Sequence, residues 1–133
     1  MTQTNSAYTP GKCNINFAEI EHRRKAAYVG LIVFVITYGA LVGLGFSSWF
    51  RLILFAPAFT AAIGFLQSKH RFCVAYGASG KQNATPGSTQ PIEVTNQEHI
   101  ALDKAKARTL NIRALLIALV ITLAALVLPP YIF

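Results

Sequence analysis

Three uncharged stretches dominate this chain and restrict what it can fold into. They cover residues 26–46, 52–66 and 114–133, and none contains Asp, Glu, Lys, Arg or His. A helix rises 1.5 Å per residue, so about 20 apolar residues cross the ~30 Å hydrocarbon core of a bilayer. The first and third stretches are long enough to do so. The second is shorter and needs its flanks, with Arg51 and Lys69 reaching opposite interfaces.

A buried helix of a soluble domain is the alternative for the second stretch. Two features favour a membrane span: it follows the first stretch after a tight turn, and Phe46, Trp49 and Phe50 lie where an interfacial aromatic belt would lie. Only 13% of the residues are charged, against about 25% in soluble domains. We therefore predict an all-α integral membrane protein with three transmembrane helices, of which the first two form a hairpin.

The distribution of basic residues predicts the orientation. Eleven of the 12 Lys and Arg residues lie in residues 1–25 and 67–113, and Arg51 alone lies in the short turn. Positively charged segments favour the cytoplasmic side. We expect the amino terminus in the cytoplasm, the carboxyl terminus outside, and a bacterial or organellar inner or plasma membrane as the location. The net charge of +7 then has a topological origin and does not require a nucleic acid partner.

Two capping boxes predict where helices begin. Asn16 with Glu19 is a weak one, and Thr95 with Glu98 a better one. The second helix should run into the third span as a stalk that extends into the cytoplasm, with only a weak apolar face (Ala101, Leu102, Ala105 and Ile112). The predicted segments are a flexible cytoplasmic tail (1–15), a pre-helix with transmembrane helix 1 (16–46), an external turn (47–51), transmembrane helix 2 (52–67), a basic cytoplasmic loop and linker (68–94), and a cytoplasmic helix continuing into transmembrane helix 3 (95–133).

Small residues spaced four apart occur in each span and predict helix-packing faces. In lipid such residues let helix backbones approach closely. Three such faces in so short a chain favour assembly with a partner, although Gly and Ala are common in spans anyway. The predicted packing residues are Gly39 and Gly43 in the first span, Ala58 and Ala62 in the second, and Ala114 and Ala118 in the third.

Basic residues flank the first two spans on the side predicted to be cytoplasmic. They are Arg23, Arg24, Lys25, Lys69 and Arg71. We expect them to form a membrane-proximal surface that attracts anionic lipid headgroups or an acidic partner. The alternative is that they only set the orientation during insertion.

The sequence contains few signs of chemistry. His70 and Cys73 have the spacing H-x-x-C, which is a weak metal signal because structural zinc usually needs two close pairs of ligands. In a reducing compartment Cys13 and Cys73 are not expected to form a disulfide. No nucleophile elbow, phosphate-binding loop or metalloprotease motif is present. We predict no catalytic residue, no metal and no cofactor.

These observations favour a small non-catalytic membrane subunit, or assembly partner, of a larger membrane protein complex. Its partners would be membrane lipids and other integral membrane subunits. The first alternative is a homo-oligomeric channel or exporter with Arg51, Thr37, Thr60 and Thr122 as its polar lining. The second is a membrane-bound redox enzyme that uses Cys73 and His70.

Overall fold

The computed structural model describes residues 8–128, which form four α-helices, a 3₁₀ segment and a two-stranded ladder. The 3₁₀ segment is Ser48–Leu54, and the ladder pairs β1 (Lys81–Gln82) with antiparallel β2 (Ile92–Glu93). The helices are α1 (Phe17–Gly43), α2 (Phe55–His70), α3 (Val74–Ser79) and α4 (Gln97–Val127).

Three helical stretches are long and apolar enough to cross a membrane. They are Phe17–Gly43, Ser48–His70 and Gln97–Val127. This confirms the prediction of a mostly helical protein with three candidate transmembrane helices. The middle stretch reaches sufficient length because the 3₁₀ segment precedes α2, where the sequence predicted an external turn over residues 47–51. The chain reverses instead just after α1, around Gly45 with its φ of 77°.

Asparagine side chains cap the two longest helices. Asn16 Oδ1 accepts a hydrogen bond from the amide of Glu19 at 3.0 Å, as the capping box predicts. At the start of α4 the cap is Asn96, one residue later than the predicted Thr95. Its Oδ1 accepts from the amides of Glu98 and His99.

Two glycines bring α1 and α2 into backbone contact. A Cβ atom added to Gly30 would lie 2.7 Å from the backbone nitrogen of Ala61, and one added to Gly64 would lie 2.9 Å from the backbone nitrogen of Ala27. Gly30 contacts α2 at Ala61, whereas Gly64, which is further along α2, contacts α1 at Ala27, which precedes Gly30. The two helices are therefore antiparallel. We call the end where α1 begins and α2 ends the loop end, and the opposite end the turn end.

The helix α4 packs against α2 and α3 along one continuous face. Near its start, a Cβ at Gly77 of α3 would lie 3.0 Å from the carbonyl oxygen of Asp103, and the buried Phe72 packs on Ala107 and Leu110. The expected stalk is thus one 31-residue helix, but one face of its first half packs against α3. Its buried residues are Asp103, Ala107, Leu110, Ala114, Ala118, Thr122 and Ala125.

The segment before α1 is integrated into the loop end, which differs from the flexible tail expected for residues 1–15. The amide of Asn14 donates to the carbonyl of Arg71, and the carbonyl of Asn14 accepts from the amide of Asn83. The Asn14 side chain adds two bonds to the backbone of Cys73. Ile15 is buried between these partners. Residues 1–7 of the expected tail lie outside the described residues.

Candidate functional site

The six predicted packing residues separate into two groups. Ala58, Ala62, Ala114 and Ala118 are all buried inside the chain. A Cβ atom added to Gly39 or to Gly43, in contrast, would meet no atom within 4 Å. Four of the six residues therefore take part in packing within the chain, and the two glycines of α1 lie on its outer surface.

Gly30 and Gly64, the glycines at the α1–α2 contact, are not among the predicted packing residues. A signal for both was present in the sequence. Ala26 with Gly30, and Thr60 with Gly64, are also small residues four apart. The sequence alone gives no reason to prefer these pairs to Gly39 and Gly43, because all of them occupy equivalent helical spacing.

The five predicted basic residues do not form one surface. Arg23 turns inward, where its guanidinium lies 3.0 Å from Glu19 Oε1 and 3.1 Å from the Sγ of Cys73. Lys25 is exposed on α1. The remaining three, Arg24, Lys69 and Arg71, line a cavity of about 700 Å³ at the loop end. We call it the basic cavity.

The walls of the basic cavity contain no carboxylate among the described residues. Of the three basic residues that line the cavity, Arg24 forms an ion pair, a 2.8 Å contact with Glu21 on the exposed surface of α1. The lining is otherwise neutral and includes the first turn of α1 and part of the loop before α4. Its residues are Thr9, Cys13, Ile15, Asn16, Phe17, Ala18, Ile20, Arg24, Ser68, Lys69, Arg71, Ala84, Pro86 and Gly87.

A polar cluster next to the cavity joins α1 to α3 and the loop. Glu19 Oε2 accepts hydrogen bonds from Tyr76 at 3.1 Å and from the Nδ2 of Asn83 at 2.8 Å, while Oε1 contacts Arg23. Burial, together with the hydrogen bond to Glu19 and the negative charge of that carboxylate, raises the pKa of Tyr76. Since both carboxylate oxygens of Glu19 are engaged, this cluster holds elements together and offers no free base.

A buried carboxylate, Asp103, anchors the amino-terminal segment. Its Oδ2 accepts a hydrogen bond from the hydroxyl of Tyr8 at 2.6 Å and its Oδ1 one from the amide of Gly11 at 2.7 Å. Burial and the neighbouring carboxylate raise the pKa of Tyr8 far above its usual value. The sequence pattern does not reveal this residue, because it predicts an apolar face of α4 that includes Leu102 and Ile112, and both are half exposed. The face that packs is one residue further on, where Asp103 aligns with Ala107 at helical spacing.

Arg51 lies at the turn end and is buried, although the sequence predicted that it reaches the interface. Its guanidinium donates to the carbonyls of Ala125 and Leu128 at 2.7 and 2.8 Å. It also lies 5.6 Å from the ring centre of Tyr38. This side chain therefore binds the carboxyl end of α4, where the helix dipole favours a positive charge.

Two of the three hydroxyls considered as a pore lining are bonded within their own helices. Thr60 donates to the carbonyl of Ala56 at 3.0 Å, and Thr122 donates to that of Ala118 at 2.7 Å. Such bonds satisfy a hydroxyl in an apolar environment without a partner helix. The geometry of these two residues gives no support to the channel alternative.

His70 and Cys73 contact different neighbours. The Nδ1 of His70 lies 3.4 Å from the Nζ of Lys106 on α4, whereas Cys73 is buried against Arg23 of α1. Within residues 8–128, no three His, Cys, Asp or Glu side chains are grouped so that they could hold a metal. The redox alternative therefore gains no support from this geometry.

Comparison of the chain with protein-family models, with curated proteins and with solved structures returned no match.

Proposed function

We propose that this protein is a small non-catalytic integral membrane subunit, or assembly partner, of a larger membrane protein complex, and that it contacts a partner helix through Gly39 and Gly43. The observation that carries the proposal is the contrast between the small-residue faces. The alanine pairs of α2 and α4 are buried within the chain, whereas Gly39 and Gly43 are open on α1.

An open glycine pair needs a reason, because glycine weakens a helix. Each Gly costs about 1 kcal/mol relative to Ala in a helix interior. Gly30 and Gly64 offset this cost with a backbone contact inside the hairpin. A partner helix at Gly39 and Gly43 would provide the same contact between chains, since association in lipid depends on close van der Waals packing.

The hydrogen bonds of three charged side chains, two of them buried, support a non-catalytic function. Glu19, Asp103 and Arg51 each bind groups from distant parts of the chain. Their hydrogen bonds hold the amino-terminal segment, the loop and the end of α4 in place. A subunit whose task is to present a fixed helix surface needs such connections and no reactive group.

The proposal is tested by placing a large side chain at each open glycine of α1. Gly39→Leu and Gly43→Leu fill the space that a partner backbone would occupy. We expect each to weaken association by about 1 kcal/mol or more, and tagged protein purified in mild detergent should lose its co-purifying polypeptides. Ala124→Leu is the matched control, because Ala124 is an exposed small residue on α4.

The composition of the recovered complex separates the alternatives. Other polypeptides that are lost with the glycine variants and retained with Ala124→Leu support the subunit proposal. A native-gel ladder of this chain alone would indicate the homo-oligomeric alternative instead. Unchanged recovery of partners with both glycine variants would show that this face of α1 contacts lipid.

A further inference from the structure

The basic cavity at the loop end lies where the apolar stretch of α1 begins and that of α2 ends. We propose that it binds the phosphate of an anionic phospholipid headgroup through Arg24, Lys69 and Arg71. This proposal does not depend on the proposed function, because the basic cavity and the Gly39–Gly43 face lie at different places on the molecule.

Electrostatics favours an anion in this cavity. Three basic side chains line it, and no carboxylate does so among the described residues. The first turn of α1 also forms part of the wall, and the start of a 27-residue helix carries a partial positive charge. Because the cavity is open to solvent, this positive potential is accessible to a ligand.

The position of the cavity along the helices favours a lipid as the source of the phosphate. The uncharged stretch of α1 begins at residue 26, two residues after Arg24. The uncharged stretch of α2 ends at residue 66, three residues before Lys69. One helical turn rises 5.4 Å, so both side chains lie at the level where hydrocarbon gives way to headgroups. A lipid whose acyl chains lie along the helices can place its headgroup there.

The backbone of Arg71 is held in place at the end of α2. Arg71 has a φ of 55°, and no other non-glycine residue among residues 8–128 has a positive φ. Glycine would adopt this left-handed conformation at lower cost. Arg71 is the C-cap of α2, where a left-handed residue is a common helix end, and its carbonyl accepts a hydrogen bond from the amide of Asn14. The Arg71 side chain is thus attached to a fixed helix end and lines the cavity.

The cavity is larger than a phosphate alone requires. Its volume is about 700 Å³, and polar residues such as Thr9 and Ser68 line it in addition to the basic ones. A hydroxyl-bearing headgroup, such as the glycerol of phosphatidylglycerol, would find hydrogen-bonding partners there. This chemistry makes phosphatidylglycerol the appropriate probe.

The experiment measures phosphatidylglycerol binding to the full chain in detergent by native mass spectrometry. The test variant is Lys69→Gln with Arg71→Gly, because glycine removes the guanidinium and suits the backbone at position 71. Each membrane-proximal charge contributes roughly fivefold in affinity, so we expect binding to fall by tenfold or more. The control variant, Lys25→Gln with Arg113→Gln, removes two charges next to the spans that do not line the cavity. It should retain affinity to within about twofold.

Several outcomes would overturn the proposal. Equal losses in both double variants would show diffuse attraction to membrane-proximal charge. Displacement of the lipid by inorganic phosphate at equal concentration would identify a free-phosphate site. Equal binding of phosphatidylcholine would show that the negative charge is irrelevant. If the test variant fails to fold, Arg24→Gln decides the matter, because this exposed residue can be replaced without disturbing the backbone and should weaken binding roughly fivefold.

Discussion

At the residue scale, two buried charged side chains show how distant parts of this chain are joined. Asp103 binds Tyr8 and Gly11 at the loop end, and Arg51 binds the carbonyls of Ala125 and Leu128 at the turn end. Removing a charge from water costs several kcal/mol unless hydrogen bonds replace the hydration. Asp103 meets this requirement at both carboxylate oxygens, and Arg51 meets it through two carbonyls, although its Nε is buried without a partner among the described residues. These partners lie more than 70 positions away in the sequence.

These two roles could not be predicted from the sequence. The neighbours of Asp103 and Arg51 along the chain say nothing about Tyr8 or Ala125, and only the folded arrangement brings them together. From composition alone, the expected position of Arg51 was the membrane interface, since a lone Arg next to an apolar stretch usually extends to water. The carbonyls at the end of α4 provide an alternative set of acceptors.

The hydrogen bond between Tyr8 and Asp103 predicts a pH-dependent stability. Tyr8→Phe removes a bond to a charged group and should lower the free energy of unfolding by about 2 kcal/mol at neutral pH. The folded state raises the pKa of Tyr8 above its ordinary value of 10.0. The contribution of this group is therefore complete below pH 10 and is lost as the pH rises toward the folded-state pKa. Unfolding in detergent at pH 8 to 11 should show the gap between wild type and variant narrowing above pH 10.

Tyr28→Phe is the control for that experiment. Tyr28 is half exposed, and its ring packs edge-to-face on Phe65. Phenylalanine retains this ring contact, so the control should unfold like the wild type at each pH. A Tyr8→Phe variant as stable as wild type at neutral pH would mean that the bond to Asp103 is replaced by water without cost.

At the element scale, local signals and packing differ in how well the sequence predicts them. The capping residue Asn16 was predicted correctly, and the start of α4 was predicted to within one residue, because a cap depends on neighbours only a few positions away. The register between α1 and α2 was not predictable. It depends on which small residues meet across the interface, and the candidates at Gly30, Gly39 and Gly43 are equivalent along the sequence.

The loop end shows the same distinction. Residues 81–91 are rich in turn-forming residues, so a linker was expected there, yet β1 pairs with β2 across this segment. The carbonyl of Asn83 also accepts a hydrogen bond from the amide of Asn16 at the start of α1, and the amide of Asn14 donates to the carbonyl of Arg71 at the end of α2. These bonds connect separate segments of the chain, and hydropathy and helical periodicity contain no information about them.

The contact between α1 and α2 predicts that replacing glycine lowers the stability of the chain at one position and leaves it unchanged at another. Gly64→Val places a Cβ 2.9 Å from the backbone of α1 at Ala27 and Arg23. Backbone atoms cannot move aside as a flexible side chain can, so we expect a loss of about 1–3 kcal/mol in the free energy of unfolding. Gly39→Val meets no atom within 4 Å and should leave the stability of the isolated chain within about 0.5 kcal/mol.

Thermal unfolding of both variants in the same detergent provides the measurement. The comparison is controlled internally, since both substitutions replace glycine with the same residue inside the same hairpin. Valine favours a helix slightly more than glycine does, so equal stabilities of the two variants would show that the close approach at Gly64 contributes little.

At the scale of the whole molecule, charge is distributed asymmetrically between the two ends. Eleven of the 12 Lys and Arg residues lie at or beyond the loop end of the apolar stretches, on the amino-terminal segment, α1, α2, the loop and α4. Arg51 alone lies at the turn end, where it is buried against α4. A molecule with this distribution should insert with its loop end in the cytoplasm, because basic segments near a span resist translocation.

This orientation predicts opposite accessibility at two exposed positions. Ser48 begins the 3₁₀ segment at the turn end, and Thr89 lies in the loop between β1 and β2. In a Cys13→Ser, Cys73→Ser background, we expect an impermeant thiol reagent applied to intact cells to label Ser48→Cys and to spare Thr89→Cys. Both should react after the cells are permeabilised, which controls for folding and exposure. Labelling of Thr89→Cys alone would reverse the orientation. Labelling of both positions in intact cells would show that Ser48–His70 does not cross the membrane, and the loop end and the turn end would then share one side.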